Sequence, residues 1–232
     1  YDNHEDHGDV WALSLSGSPA WTELTPAGTG PRVGAAIYDP VRDRMLVFGG
    51  YDRSSDGGPS NLWALSLSGS PAWTELTAAG TPPHERFFHT AIYDAVRERM
   101  VIYGVKDNDA FRDVWALSLS GSPAWTELTP AGMSSQSLFR SRHTAIYDPA
   151  RDRMVVFGGV QEGLGELGDV WGLSLPGGPA WSKLVVAPSG RSHHTAIYDP
   201  VRDRMVVCGG SDDLGYQGDV LALSLSGRQV WA

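Results

Sequence analysis

Three segments share the pattern Arg-x-x-His: Arg86 to His89, Arg140 to His143 and Arg191 to His194. Guanidinium forks at a fixed spacing suit the clamping of a carboxylate or another anion. The same regularity also fits a plainer role, in which each Arg and His ties its repeat to a neighbouring loop. Residues that break the pattern are better ligand candidates: Arg142, His193, Phe87, Phe88 and Phe139. The phenylalanines can stack on a sugar or a peptide side chain, or simply fill space.

Other reactive types are sparse. His4, Asp6 and His7 are metal-ligand types in the opening polar run, imidazole and carboxylate being suited to zinc or nickel. Asp107, Asn108 and Asp109, or Asp212 and Asp213, offer oxygen to calcium, without an EF-hand spacing. The reading adopted for all of these is a solvated loop, with no metal and no cofactor. Cys208 sits where Phe48, Tyr103 and Phe157 sit in the other repeats, so it is expected to be a buried apolar residue. One cysteine excludes an intramolecular disulfide framework and a four-cysteine zinc site. No Gly-x-Ser-x-Gly, His-Glu-x-x-His or nucleophile–base pair is present, and the Gly-Gly pairs end strands rather than open helices. No catalytic residue is therefore assigned.

These residues are positioned by a repeat. The segment from Ala36 to Met45 returns at 91–100, 145–154 and 196–205, and Trp21, Trp73, Trp125, Trp181 and Trp231 are spaced 52, 52, 56 and 50 apart. Each unit reads as four short strands. Strand A is His-Thr-Ala-Ile-Tyr and strand B is an apolar run such as Arg-Met-Val-Val-Phe. Strand C is Asp-Val-Trp-Ala-Leu-Ser-Leu and strand D is Ala-Trp-Thr-Glu-Leu. Asp-Pro-x-Arg-Asp-Arg and Ser-Gly-Ser-Pro supply the turns. Four-stranded units that cannot bury both faces alone must stack, and radial stacking makes a propeller.

Gly-Gly after strand B, then Asp-Val-Trp, a second Trp ten residues later, and Arg-x-x-His together resemble the kelch repeat over nearly the whole chain. The departures are Val105 for a second glycine, Leu221 for a first tryptophan, and Gly34-Ala35 for His-Thr. The resemblance implies an all-β, kelch-type β-propeller forming a single domain over 1–232. Strands C and D occur five times and A and B four, so the reading is a half blade at 1–25 and four complete blades near 32–77, 86–129, 140–185 and 191–232. The result is a five-unit ring or a fragment of a larger propeller. A half blade leaves strand edges open, and self-association through it is expected.

The spans between strands A and B (Tyr to the second Gly, 12 residues) and between C and D (Trp to Trp, 10) never vary. The D–A spans run 17, 20, 22 and 17, and the B–C spans 13, 10, 12 and 11. In an up-and-down sheet the two variable sets share one face, which is where a binding surface is expected. The A–B turns hold eight acids and eight arginines and read as surface ion pairs worth little each. The B–C loops hold fifteen acids against Arg53, Lys106 and Arg112, a balance of −12. The D–A loops carry Arg32, Arg86, Arg140, Arg142 and Arg191. The resemblance places strand A innermost, so a basic centre inside an acidic rim is expected.

The function expected is a non-catalytic module that presents this face to a protein or peptide with acidic groups. Its contact centre is Arg86, Phe88, Arg140, Arg142, His143, Arg191 and His193. Propellers of this kind also include copper-radical oxidases and sialic-acid epimerases, so a sugar-binding or sugar-modifying domain is the alternative. A purely structural repeat, natural or designed, is the third. The chain has 232 residues and a formal charge of −9, which argues against non-specific nucleic-acid binding. No apolar run is long enough to span a bilayer and no leader pattern opens the sequence. The lysine-poor composition is bacterial-like and fits an exported protein or a cytoplasmic one.

Overall fold

The computed structural model describes residues 9–31, 34–50, 61–104, 113–132 and 140–232. Among them the regular structure is all strand. The first unit is a hairpin of β1 (Val10–Leu13) and β2 (Trp21–Leu24). Blade one follows as β3 (Ala35–Asp39), β4 (Arg44–Phe48), β5 (Leu62–Ser66) and β6 (Trp73–Leu76). Blade two is β7 (Thr90–Asp94), β8 (Arg99–Tyr103), β9 (Val114–Ser118) and β10 (Ala124–Leu128). Blade three opens with β11 (Thr144–Asp148) and β12 (Arg153–Phe157). A short hairpin of β13 (Val160–Gln161) and β14 (Gly165–Glu166) intervenes before β15 (Asp169–Ser174) and β16 (Ala180–Val186). Blade four repeats this with β17 (Thr195–Asp199), β18 (Arg204–Cys208), the hairpin β19 (Ser211–Asp212) and β20 (Gly215–Tyr216), and β21 (Val220–Ser224).

Each complete blade is an antiparallel sheet ordered along the chain. The innermost strands β3, β7, β11 and β17 stand beside one another in that order, giving a four-blade propeller arrangement. The A–B register is the same in every blade: Asp39 faces Arg44, Asp94 faces Arg99, Asp148 faces Arg153 and Asp199 faces Arg204. These turns end on Asp43, Glu98, Asp152 and Asp203, all with positive φ. In three of the four the residue is Asp, which tolerates that conformation better than most residues do.

Three apolar cores lie between blades. Ile37, Leu46, Phe48 and Leu62 of blade one meet Met100, Ile102, Leu117 and Trp125 of blade two. The same positions recur between blades two and three, and between three and four. Strand B is apolar on both sides because both of its faces are interfaces.

The turn ion pairs are more than surface decoration, contrary to the expectation from sequence. Asp94 and Asp148 are fully buried, and each accepts hydrogen bonds from two arginines of its own turn. Arg97 and Arg151 then cross to the next blade, at Asp152 and Asp203. The Asp94 and Asp148 carboxylates lie out of water, where such bonds are stronger.

Other expectations need correcting at the two end faces. Cys208 is exposed, whereas Phe48, Tyr103 and Phe157 at the same position are fully buried. Ile197 is 64% exposed and its counterpart Ile146 only 5%. The cause is simple: in blades one to three this face is covered by the following blade, and blade four presents it to solvent. On the opposite side Trp21, Leu13 and Leu15 are exposed although Trp125, Leu117 and Leu119 are buried. Trp11 is likewise 49% exposed on this open end face. The outer edge of blade four is a bridge at Trp231 rather than a full strand; Ala232 and Ala222 exchange hydrogen bonds at 2.9 Å.

Candidate functional site

Positions in the D–A loops repeat in backbone and differ in side chain. The first position is Arg86, Arg140 or Arg191, each 1% exposed. Arg86 binds both oxygens of Asp113 at 2.9 and 2.8 Å and donates to the Gly104 carbonyl at 3.2 Å. Arg140 pairs with Asp169 at 2.9 Å and donates to the Gly158 carbonyl at 3.0 Å. Arg191 binds Asp219 at 2.7 and 3.0 Å and donates to the Gly209 carbonyl at 3.2 Å. These guanidinium groups lock the glycine that follows strand B to the start of strand C. They are buried and neutralised by Asp113, Asp169 and Asp219 of the B–C loops, so the expected basic centre loses three of its members to internal ion pairs. Asp169 and Asp219 are held below the usual carboxylate range; at Asp169 the Arg140 charge and hydrogen bond outweigh burial, and at Asp219 the cause is the Arg191 hydrogen bond.

The third position is Phe88, Arg142 or His193. All three have φ between 56 and 59°. The Arg142 N–H donates to the Phe88 carbonyl and the His193 N–H to the Arg142 carbonyl, both at 3.1 Å. This ladder ties consecutive blades and holds the three backbones alike whatever side chain they carry. The guanidinium carbon of Arg142 lies 4.5 Å from the centre of the Phe88 ring, a cation–π contact. Phe87 packs edge-on against Phe88 at 5.0 Å.

The fourth position is the histidine. His143 Nε2 lies 2.9 Å from Thr90 Oγ1 of the preceding blade, and His194 Nε2 lies 2.8 Å from Thr144 Oγ1. Burial depresses all three imidazoles, His89 to about 3, His194 to about 4 and His143 well below its ordinary value, with the neighbouring arginine pushing the same way. They are neutral near pH 7.

Phe88, Arg142 and His193 open into one cleft of about 530 Å³, floored by His89, His143 and His194. Its far wall is Gly210, Ser211 and Tyr216 of the β19–β20 hairpin. That hairpin is anchored to the mouth by paired hydrogen bonds of 2.9 Å between Ser192 and Ser211. Gly210 lets the two backbones meet: its φ is 96°, and a Cβ there would lie 2.6 Å from the Ser192 carbonyl oxygen. The cleft thus gathers Phe88, Arg142, His143 and His193 of the predicted contact set and leaves Arg86, Arg140 and Arg191 inside their blades. Sequence reasoning missed Ser211 and Tyr216; the turn signal Asp-Asp-Leu-Gly just before Tyr216 was the available clue. His193 is also held low, by partial burial and by Arg142.

His4, Asp6, His7, Arg32, Phe139 and the acids at 107–109 lie outside the described residues. Asp212 accepts the Leu214 N–H at 2.8 Å and so closes its own turn. Among the described residues no three His, Cys, Asp or Glu side chains converge as metal ligands.

A family model described as the KLHDC2/KLHL20/DRC7 Kelch-repeats domain matches residues 1–139. The chain is 28% identical to the Arabidopsis thaliana serine/threonine-protein phosphatase BSL2 over 84% of its own length and 19% of that protein. It is 30% identical to the Drosophila melanogaster leucine-zipper-like transcriptional regulator 1 homolog, over 87% of the chain and 21% of that protein. The Caenorhabditis elegans host cell factor homolog hcf-1 is 29% identical over 56% of the chain and 18% of that protein. The chain spans about a fifth of the length of these relatives.

Proposed function

The chain belongs to the kelch-repeat family, and we propose that it is a non-catalytic binding module whose B–C and D–A loop face takes an acidic peptide segment of a partner protein. The supporting observation is the third-position ladder. Three residues in one backbone conformation, hydrogen-bonded in series, carry an aromatic, a cation and an imidazole into one cleft. A fixed frame with varied side chains is how a scaffold builds a binding surface. In this reading the Arg142 guanidinium meets the carboxylate, Phe88 and Tyr216 supply apolar area, and His193 adds a hydrogen bond. Kelch propellers generally mediate protein–protein contacts, which agrees with it.

The test is selection from a random-sequence peptide display library on the purified chain. Enrichment of Asp- or Glu-centred peptides, lost with Arg142→Ala, is the expected result. Recovery of the same peptides by the Arg142→Ala protein contradicts the assignment.

A second partner in the proposal is another copy of the chain. The apolar end faces around Trp21 and Ile197 are the two halves of the contact that is buried three times inside the molecule. Light scattering on the purified chain should then give a mass above one protomer. A mass of one protomer at all concentrations rejects self-association and leaves the mouth cleft untouched.

A further inference from the structure

The B–C connections of blades three and four each fold into a short hairpin on the face that carries the cleft. Both hairpins are fixed to the mouth in the same way. Val160 exchanges hydrogen bonds of 2.9 and 3.1 Å with Ser141, the neighbour of Arg142. Ser211 exchanges two of 2.9 Å with Ser192, the neighbour of His193. The Leu167 and Gln217 N–H groups donate back to the Gly159 and Gly210 carbonyls at 2.8 and 2.9 Å, which closes each hairpin at its root.

At each tip a leucine precedes the glycine that opens the second strand, Leu164 before Gly165 and Leu214 before Gly215. The Leu164 N–H donates to the Gln161 carbonyl at 3.0 Å, and the Leu214 N–H to the Asp212 carboxylate at 2.8 Å. Leu164 is 69% exposed, and Leu214 and Tyr216 are 93 and 96%. The two tips are neighbours: a Cβ on Gly165 would lie 3.7 Å from Asp213 Oδ1. Tyr216 lines the cleft as well, so the tips continue its wall.

A single exposed leucine is ordinary, but large apolar side chains grouped on a fixed frame mark an interaction site. The charge around this group has one sign. Residues 160–166 and 211–216 hold Glu162, Glu166, Asp212 and Asp213 and no lysine or arginine.

We propose that this crest of two hairpins is a second contact of the module, and that it takes a segment of the partner protein in which a large apolar side chain is flanked by lysine or arginine. The apolar side chain covers Leu164 and Leu214, and the flanking bases meet the four carboxylates. Those carboxylates repel an anionic lipid surface, which bare leucines alone would suit. The crest goes beyond the acidic-peptide reading: it shares a face with the cleft but does not need Arg142.

The test is the peptide display selection run in parallel on the wild-type chain, on Leu164→Ser/Leu214→Ser and on Arg142→Ala. Both leucines are exposed, so the double variant should melt at the wild-type temperature. Leu164→Met/Leu214→Met keeps the apolar surface and should select as the wild type does. The wild-type chain should enrich peptides with Leu, Ile, Met or Phe beside Lys or Arg. The serine variant should lose this class and keep the Asp- or Glu-centred peptides, and Arg142→Ala should do the reverse. A synthetic peptide of the apolar–basic class should bind the serine variant about tenfold to a hundredfold more weakly. Recovery of that class by the serine variant, or its absence from the wild-type selection, overturns the crest assignment. Absence of the acidic class alone overturns the cleft reading and leaves the crest standing.

Discussion

Arg97 of blade two donates two parallel hydrogen bonds to Asp152 of blade three, at 3.0 and 2.7 Å. The same guanidinium also reaches the fully buried Asp94 of its own turn. Arg151 repeats the arrangement toward Asp203 at 3.1 and 2.6 Å, and Arg42 reaches Glu98 at 3.4 Å. In blades one to three one arginine therefore fastens its own turn and the next blade together, on the face opposite the cleft.

Removal of this fastener should loosen the inter-blade contact. Arg97→Ala is expected to lower unfolding stability by about 1–3 kcal/mol, because Asp94 and Asp152 both lose a charged donor. Arg202→Ala should change it by less than about 0.5 kcal/mol, since Arg202 is 64% exposed and pairs with Asp199 of its own turn. Urea unfolding of the two variants decides; equal losses would show that the cross-blade bonds contribute nothing.

Acid should weaken the fold in two stages. His89, His143 and His194 are depressed from about 6.5, chiefly by burial. Such a group takes up its proton more readily in the unfolded chain, so stability falls as pH drops from about 6.5 toward 4. Asp152 and Asp203 are held below 3.8 mainly by hydrogen bonds from Arg97 and Arg151, and their contribution is lost as pH falls further. The melting temperature should decline between pH 7 and 4, and His194→Gln should flatten that slope. A melting temperature independent of pH over this range contradicts the neutral-histidine description.

Cys208 should react as an exposed thiol. In the single protomer, at dilutions where light scattering gives one protomer's mass, Ellman's reagent is expected to titrate one thiol at close to the rate found in denaturant. A Phe157→Cys variant should show its added thiol only after unfolding. Protection that appears only as the chain is concentrated is what self-association through that face predicts, whereas protection of Cys208 in the single protomer would contradict its exposure.

Much of the architecture was legible because the repeat spaces its turns and apolar runs identically. Asp39 to Arg44 and its three copies announce the same hairpin each time. Cys208 shows the limit: its strand position is that of Phe157, but burial there depends on a following blade and not on the strand. The arginines show another. Arg86 and Asp113 stand 27 residues apart, and nothing local reveals that the acid neutralises the base. The irregular third position, by contrast, was readable as a break in pattern, and Phe88, Arg142 and His193 do meet in one cleft. Tyr216 was not readable, because its place depends on a two-residue-strand hairpin folding back to Ser192.

The most direct test of the account is calorimetric titration of one acidic peptide, taken from the display selection, into wild-type, Arg142→Ala and Arg202→Ala chains. The account predicts that Arg142→Ala weakens binding by about tenfold to a hundredfold, as expected for loss of a charged hydrogen-bonded contact, while Arg202→Ala on the opposite face binds as the wild type does. Equal affinity for the wild-type and Arg142→Ala chains would contradict it.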